Sequence, residues 1–253
     1  MSRERCYRCF WPKELCWCDS IRPMPTRTKL VFLMHPKEFK DQRTGTGRLT
    51  HLCLADSELH MGIGFDEHEA VQALIRDPAN FAMLLYPGPQ ARILPGGLQP
   101  GELAGRRLVV FLLDGTWACA RKMLRLSMTL RRLPRIMFPP ASPSCFVIKQ
   151  QPETGCLSTL EATHELLLAL EGAGIDRYAL PEQLPGLLNR MQEHLIRCAQ
   201  DPSRPGYRRQ PYGTPSERRV TRGPASRRPM KLFASVPAAD GQGDPTPGGR
   251  VDH

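Results

Sequence analysis

The sequence predicts an α/β protein on a largely parallel sheet, with a small metal-binding knuckle in front of it. Three observations carry this. Short apolar runs with turn residues at their ends recur through the middle of the chain, as in strands covered on both faces. Segments of helical spacing lie between those runs, and the alternation marks βα units. Four cysteines, Cys6, Cys9, Cys16 and Cys18, precede any core-forming segment.

The strands are Lys29–Met34, Ala82–Tyr86 (ended by Pro87-Gly88-Pro89) and Leu108–Leu113, with Arg135–Phe138 and Cys145–Lys149 as shorter candidates. Helical spacing predicts Asp66–Arg76 with Asp66 as its cap, then Trp117–Leu133, Thr159–Leu170 and Leu184–Ala199. Residues 1–24 are expected to form the knuckle, residues 25–200 the main globular domain, and residues 201–253 a basic tail. From Arg204 to Lys231 the tail carries nine Lys/Arg against one acid, Glu217. Its Pro, Gly, Ser and Arg content cannot bury enough apolar surface to order it, so disorder is expected there. It is read either as an RNA-binding arm or as a solvated extension.

The 253 residues carry a net charge of +10 and a pI near 9.4. That balance favours a polyanionic partner, nucleic acid first among them. No run approaches the roughly 18 apolar residues of a membrane span, and the first residues lack the apolar stretch of a signal peptide. A cytoplasmic location is the expectation. In a reducing compartment clustered cysteines bind metal more often than they pair. Cys6-x-x-Cys9 followed by Cys16-x-Cys18 can close a tetrahedral zinc site, with an iron–sulfur cluster as the lesser alternative. Arg3, Arg5, Arg8 and Lys13 surround the knuckle and suit a phosphate backbone. The other five cysteines show no ligand spacing and are read as packing residues.

Three constellations carry chemistry. Leu108–Leu113 runs into Asp114-Gly115-Thr116-Trp117, and strand carboxyl ends are where α/β sheets bind ligands. Asp114 is either a general base or, with Thr116, a cap for the next helix. Ser158 and Glu161 in Leu157-Ser158-Thr159-Leu160-Glu161-Ala162 fit a capping box, and a capped helix start can also meet an anion. His35-Pro36-Lys37-Glu38 precedes Thr44-Gly45-Thr46-Gly47-Arg48-Leu49, a Gly-rich turn whose Arg suits phosphate or carboxylate. His35 alone reads equally as a structural histidine.

In this order, over roughly residues 6–170, these motifs resemble the DTW-domain family. The resemblance rests on the four cysteines, His35-Pro36-x-Glu38, Thr46-Gly47-Arg48-Leu49, Leu85-Tyr86-Pro87, Asp114-Gly115-Thr116-Trp117 with Ala120, and Leu157-Ser158-Thr159-x-Glu161-Ala162. Gly45 departs from the Asn expected ahead of Thr-Gly. The resemblance implies a SPOUT-like sheet with a C-terminal trefoil knot. It implies S-adenosylmethionine as donor of a 3-amino-3-carboxypropyl group to N3 of a tRNA uridine. N3 lies on the pairing edge, so the target must be unpaired or flipped. Asp114 is then the catalytic candidate, as base or as acceptor of the N3–H bond. A base at a reference pKa of about 3.9 would need its pKa raised by the site. Tyr86, Pro87, Leu113, Thr116, Trp117, Leu157, Ser158, Thr159 and Glu161 are expected around the donor. His35, Lys37 and Arg48 are expected on RNA. A SPOUT-type methyltransferase and a non-catalytic zinc-dependent RNA-binding module are the rivals; a related enzyme of ribosomal RNA is a further alternative.

Overall fold

The computed structural model describes residues 4–13, 16–40, 45–138, 144–146 and 156–201. β1 (Lys29–Met34) leads through two short helices, α1 (Pro36–Lys40) and α2 (Thr46–Leu52), to β2 (Ser57–Met61). Then follow α3 (Glu69–Arg76), β3 (Asn80–Leu85), a short β4 (Arg92–Ile93) and β5 (Arg107–Asp114). The chain continues through α4 (Trp117–Arg125), α5 (Met128–Arg132) and β6 (Arg135–Met137) to α6 (Thr159–Gly172) and α7 (Gln183–Gln200). The six strands form one sheet in the order β2-β1-β5-β3-β6-β4, and each pairing is parallel.

The continuous apolar runs have the reason the sequence suggested. Leu30 and Phe32 of β1, with Leu108, Val110 and Leu112 of β5, face one core shared with α2, α6 and α7. Val31, Leu33, Val109 and Phe111 face a second core, covered by α3, α4 and α5. Both faces of the sheet are dry, so both sets of alternating positions must be apolar. Cys9 and Trp11 belong to the first core, which anchors the knuckle on the sheet's α6/α7 side.

Several elements differ from expectation. The predicted helix Trp117–Leu133 is two helices. Ser127 between them is extended and buried, and its Oγ accepts from the Phe65 amide at 3.1 Å. Asp66 does not cap the helix that follows it, whose cap is His68. Its carboxylate accepts from the Met128 and Thr129 amides (2.7 and 2.9 Å), so it caps α5 instead. Four elements carried no sequence signal strong enough to predict them: α1, α2, β2 and β4. Cys145 and Phe146 lie in no strand, and residues 147–149 of that candidate fall outside the described residues. So do the basic tail from residue 202 and residues 139–143 and 147–155, on the passage from β6 to α6 where a C-terminal knot would be threaded. Among the described residues no helix is long and apolar enough to cross a membrane.

The sheet has a switch point between β1 and β5. From β1 the chain turns outward to β2 by way of α2 on the first face. From β5 it turns the other way, toward β6, by way of α4 on the second face. Connections that diverge like this leave a crevice at the strands' carboxyl ends, the usual ligand position in open α/β sheets.

Candidate active site and metal knuckle

Asp114 is the last residue of β5 and pairs in register with Met34 at the end of β1, at the crevice. The His35 amide donates to the Asp114 carbonyl at 2.8 Å, locking the two strand ends together. The Asp114 side chain is 5% exposed. Thr159 Oγ1, in the first turn of α6, donates to its Oδ1 at 2.5 Å. Gly47, in the first turn of α2, lies against the same carboxylate, and a methyl group at that position would overlap Asp114 Oδ2 and Cγ. The capping alternative for Asp114 is thereby resolved: Thr116 is the cap of α4, accepting from the Cys119 amide at 3.3 Å.

α6 begins with the predicted capping box. Ser158 Oγ accepts from the Glu161 amide, and Glu161 Oε2 accepts from the Ser158 amide at 2.8 Å. Glu161 does more than cap. It also accepts from Ser144 Oγ (3.0 and 2.9 Å) and from the Cys145 amide (2.7 Å), tying residues 144–146 to the helix start. Its carboxylate is thus occupied in holding that loop.

Tyr86 follows β3, the strand on the other side of β5, and is nearly buried. Its ring lies 6.0 Å from Trp117 at the start of α4, and the Arg135 guanidinium sits 5.6 Å from its centroid. Burial raises the Tyr86 phenol above its ordinary value, against the opposing fields of Arg121 and Arg135. Leu113 and Pro87 are half-buried beside these rings in the chain, and Leu157 precedes the cap of α6. The expected cofactor residues are therefore gathered at the carboxyl ends of β3 and β5 and at the first turns of α4 and α6.

The three expected RNA contacts have different surroundings. His35 is 4% exposed, and its Nδ1 accepts from the Lys37 amide at 3.1 Å. Burial, with Lys37 and Lys122 nearby, lowers its pKa and favours the neutral ring. Lys37 is exposed. Arg48 is half-buried, its guanidinium stacked 3.9 Å from the Phe10 centroid and 4.8 Å from that of Phe39. Burial lowers its pKa, while the nearby Cys9 raises it. Sequence reasoning missed Arg121, Lys122 and Arg135, which put positive charge around His35 and Tyr86. The signal was the Arg121-Lys122 pair one turn after Trp117, read only as the polar side of a helix.

The four knuckle thiols converge, with all ligand atoms within 4.8 Å of one another. Cys6 Sγ to Cys18 Sγ is 3.7 Å and Cys9 Sγ to Cys16 Sγ is 3.8 Å. A tetrahedron of sulfurs about 2.3 Å from a zinc ion has edges of about 3.8 Å, so the donor set fits zinc in kind and spacing. An iron–sulfur cluster would hold its thiolates further apart. The amides of Cys9 and Arg8 bond to Cys6 and lower its thiol to about 6. Burial raises Cys9 and Cys18, a cost that a bound dication reverses by holding both as thiolates. Phe10 follows directly, with φ at 62°. A left-handed non-glycine residue costs roughly 1–2 kcal/mol, and here that turn sets the ring over Arg48.

A parallel α/β sheet with a buried carboxylate at its switch point, and a four-thiol knuckle docked beside it, defines an α/β protein with a cysteine cluster able to hold a metal ion. The DTW domain model matches residues 3–196, and the chain belongs to the DTW-domain family. It is 30% identical over 176 residues to a Drosophila melanogaster protein named tRNA-uridine aminocarboxypropyltransferase 2, covering 67% of each chain. It is 28% identical over 196 residues to the Mus musculus protein of the same name and 26% identical over 196 residues to that of Macaca fascicularis. Those two alignments cover 76% of this chain and 65% of each relative. The chain thus spans about two thirds of the length of the curated relatives it matches. No solved structure matches it.

The Gly47 contact predicts that Gly47→Ala destabilises the chain by about 1–3 kcal/mol in urea unfolding. Gly45→Ala, where the added carbon meets nothing within 4 Å, should change stability by less than about 1 kcal/mol. For the knuckle, metal analysis should find one zinc per chain, lost in Cys6→Ser and Cys9→Ser. Arg48→Ala should speed zinc release to a chelator on the order of ten-fold, because a desolvated cation–π stack of about 2 kcal/mol is removed.

Proposed function

We propose that this chain is a tRNA-uridine aminocarboxypropyltransferase. It moves the 3-amino-3-carboxypropyl group of S-adenosylmethionine to N3 of a uridine, with Asp114 as its catalytic residue. The observation that carries the reading is the buried Asp114 carboxylate at the β1/β5 crevice, held by Thr159 from the start of α6. The relatives' names support the reaction class. A SPOUT-like arrangement is the fold reading that goes with it, supported by the all-parallel sheet and by the return of α6 to the end of β5.

The residues present fit the donor. Tyr86 and Trp117 offer an aromatic pair for a purine, beside the apolar Leu113 and Pro87. The start of α6, behind Leu157 and the Ser158 cap, suits a carboxylate through the Thr159 and Leu160 amides, which the capping box does not use, and through its positive dipole end. Bound there, S-adenosylmethionine supplies a carbon made electrophilic by its sulfonium. Which of its three such carbons reacts is decided by orientation, and the α6 start, by fixing the donor's carboxylate, selects the aminocarboxypropyl arm.

Uridine N3 carries a proton at neutral pH and must lose it as the N3–C bond forms; the C–S bond of the sulfonium would break with its electron pair going to sulfur, and 5′-methylthioadenosine would leave. Asp114 either accepts that proton or holds the N3–H bond so that the nitrogen faces the donor. Thr159 fixes the carboxylate's rotation for either role. Lys37, Arg121, Lys122 and Arg135 lend the crevice a positive rim suited to an RNA backbone. Zinc has no chemical part in this scheme; Cys6, Cys9, Cys16 and Cys18 would hold it to fix the knuckle.

Nucleoside mass spectrometry of unmodified tRNA incubated with the protein and S-adenosylmethionine tests the proposal. An aminocarboxypropyl adduct on uridine is expected. Asp114→Ala should lower its rate by about 10²–10⁴-fold, the span of general acid–base catalysis, and Thr159→Val should lower it less. A methyl adduct would favour the methyltransferase rival. Absence of any adduct on RNA would remove the reading.

A further inference from the structure

Tyr7 is the most exposed large hydrophobic side chain among the described residues, at 89%, with Met61 next at 49%. It occupies the apex of the Cys6-x-x-Cys9 turn, where the Cys9 and Arg8 amides bond back to Cys6. That turn leaves the two intervening side chains outside: Tyr7 and Arg8 are both exposed, as is Arg5. The Cys6 and Cys9 thiols converge with those of Cys16 and Cys18, and a metal bound there would fix the shape of the turn under the ring. The knuckle also lies on the rim of the crevice. Phe10 stacks on Arg48 in the first turn of α2, and the neighbouring Gly47 touches Asp114.

A buried aromatic ring needs no special account, but one held in water, in a turn that also exposes Arg5 and Arg8, does. A single ring is far below the several hundred Å² of apolar patch that marks a protein-docking surface. One ring face is enough, however, to stack one nucleobase, and a neighbouring cation meets the phosphate next to it. We infer that the knuckle apex is an RNA-contact surface on which Tyr7 stacks an unpaired base of the tRNA while Arg8 meets its backbone. The inference rests on the tRNA reading above and adds a contact outside the crevice. The zinc knuckle then serves to hold a base-stacking ring at a set distance from Asp114.

Binding of unmodified tRNA by the full-length, zinc-loaded chain tests this directly, with Kd read over a range of salt concentrations. Tyr7→Ala should weaken binding by about 5- to 150-fold, the range for loss of one base–aromatic stack, without altering the slope of log Kd against log salt. Tyr7→Phe should bind within about two-fold of the parent, since it keeps the π face. Tyr7→Leu should bind as poorly as the alanine variant. Arg8→Ala should lower the salt slope by about 0.7–0.9, the change for one phosphate contact. Zinc is measured in every variant. If the alanine variant loses metal, the comparison of Tyr7→Phe with Tyr7→Leu, both of which keep bulk at the apex, decides the matter. Parent-like binding by Tyr7→Leu would overturn the stacking inference and leave the proposed reaction standing. Failure of the parent chain itself to bind tRNA would overturn both.

Discussion

The carboxylate of Asp114 is the point on which the other parts converge. It ends β5 at the place where the connections of β1 and β5 diverge, and a sheet of this kind opens there for steric reasons, whatever its sequence. What the sequence adds is a set of close approaches. Gly47 lacks the carbon that would strike the carboxylate, and Thr159 donates to it across 45 residues of chain. The His35 amide holds the neighbouring strand end in place. Cap chemistry keeps the arrangement clean: Thr116 caps α4 and Ser158 caps α6, so Asp114 is the cap of neither helix.

The knuckle connects to this centre through packing. Cys9 and Trp11 share the core of α6 and α7, and Phe10 reaches across to Arg48. Arg48 looked in the sequence like a phosphate contact at the end of a Gly-rich turn. In the fold its guanidinium lies over the Phe10 ring and close to the tilted Phe39 ring, next to a thiol cluster that would carry net negative charge with zinc bound. A guanidinium suits that position because it is planar, weakly hydrated and always charged. The proposed division of labour follows: Arg48 fastens the knuckle, while exposed cations at the crevice rim and knuckle apex face the RNA.

The parts of this fold legible in sequence were those governed by strong local rules. Lys29–Met34 and Leu108–Leu113 are apolar without interruption because both faces of the sheet are covered, and no competing pattern obscures them. The Ser158/Glu161 box is written in the sequence because capping is local. β2 was not visible, since as an edge strand it carries Ser57, Glu58 and His60 among its few residues. α2 was hidden by two glycines at its start, Gly45 as its N-cap and Gly47 in its first turn, the latter there for Asp114 rather than for a turn. Asp66 was assigned to the nearer helix, whereas its carboxylate serves one some sixty residues away. No local rule carries that information. The gathering of Arg121, Lys122 and Arg135 around the crevice is likewise a product of topology.

The proposed chemistry turns on who handles the uridine N3 proton, and one substrate comparison tests that directly. Single-turnover rates of the parent chain and of Asp114→Asn would be measured on tRNA carrying uridine or 5-fluorouridine, across a range of pH. The fluorinated base has the more acidic N3–H and depends less on a protein base. If Asp114 removes the proton, the variant's defect shrinks on 5-fluorouridine tRNA and shrinks further as pH rises. An equal defect on both substrates at every pH would contradict a proton-accepting Asp114 at the crevice.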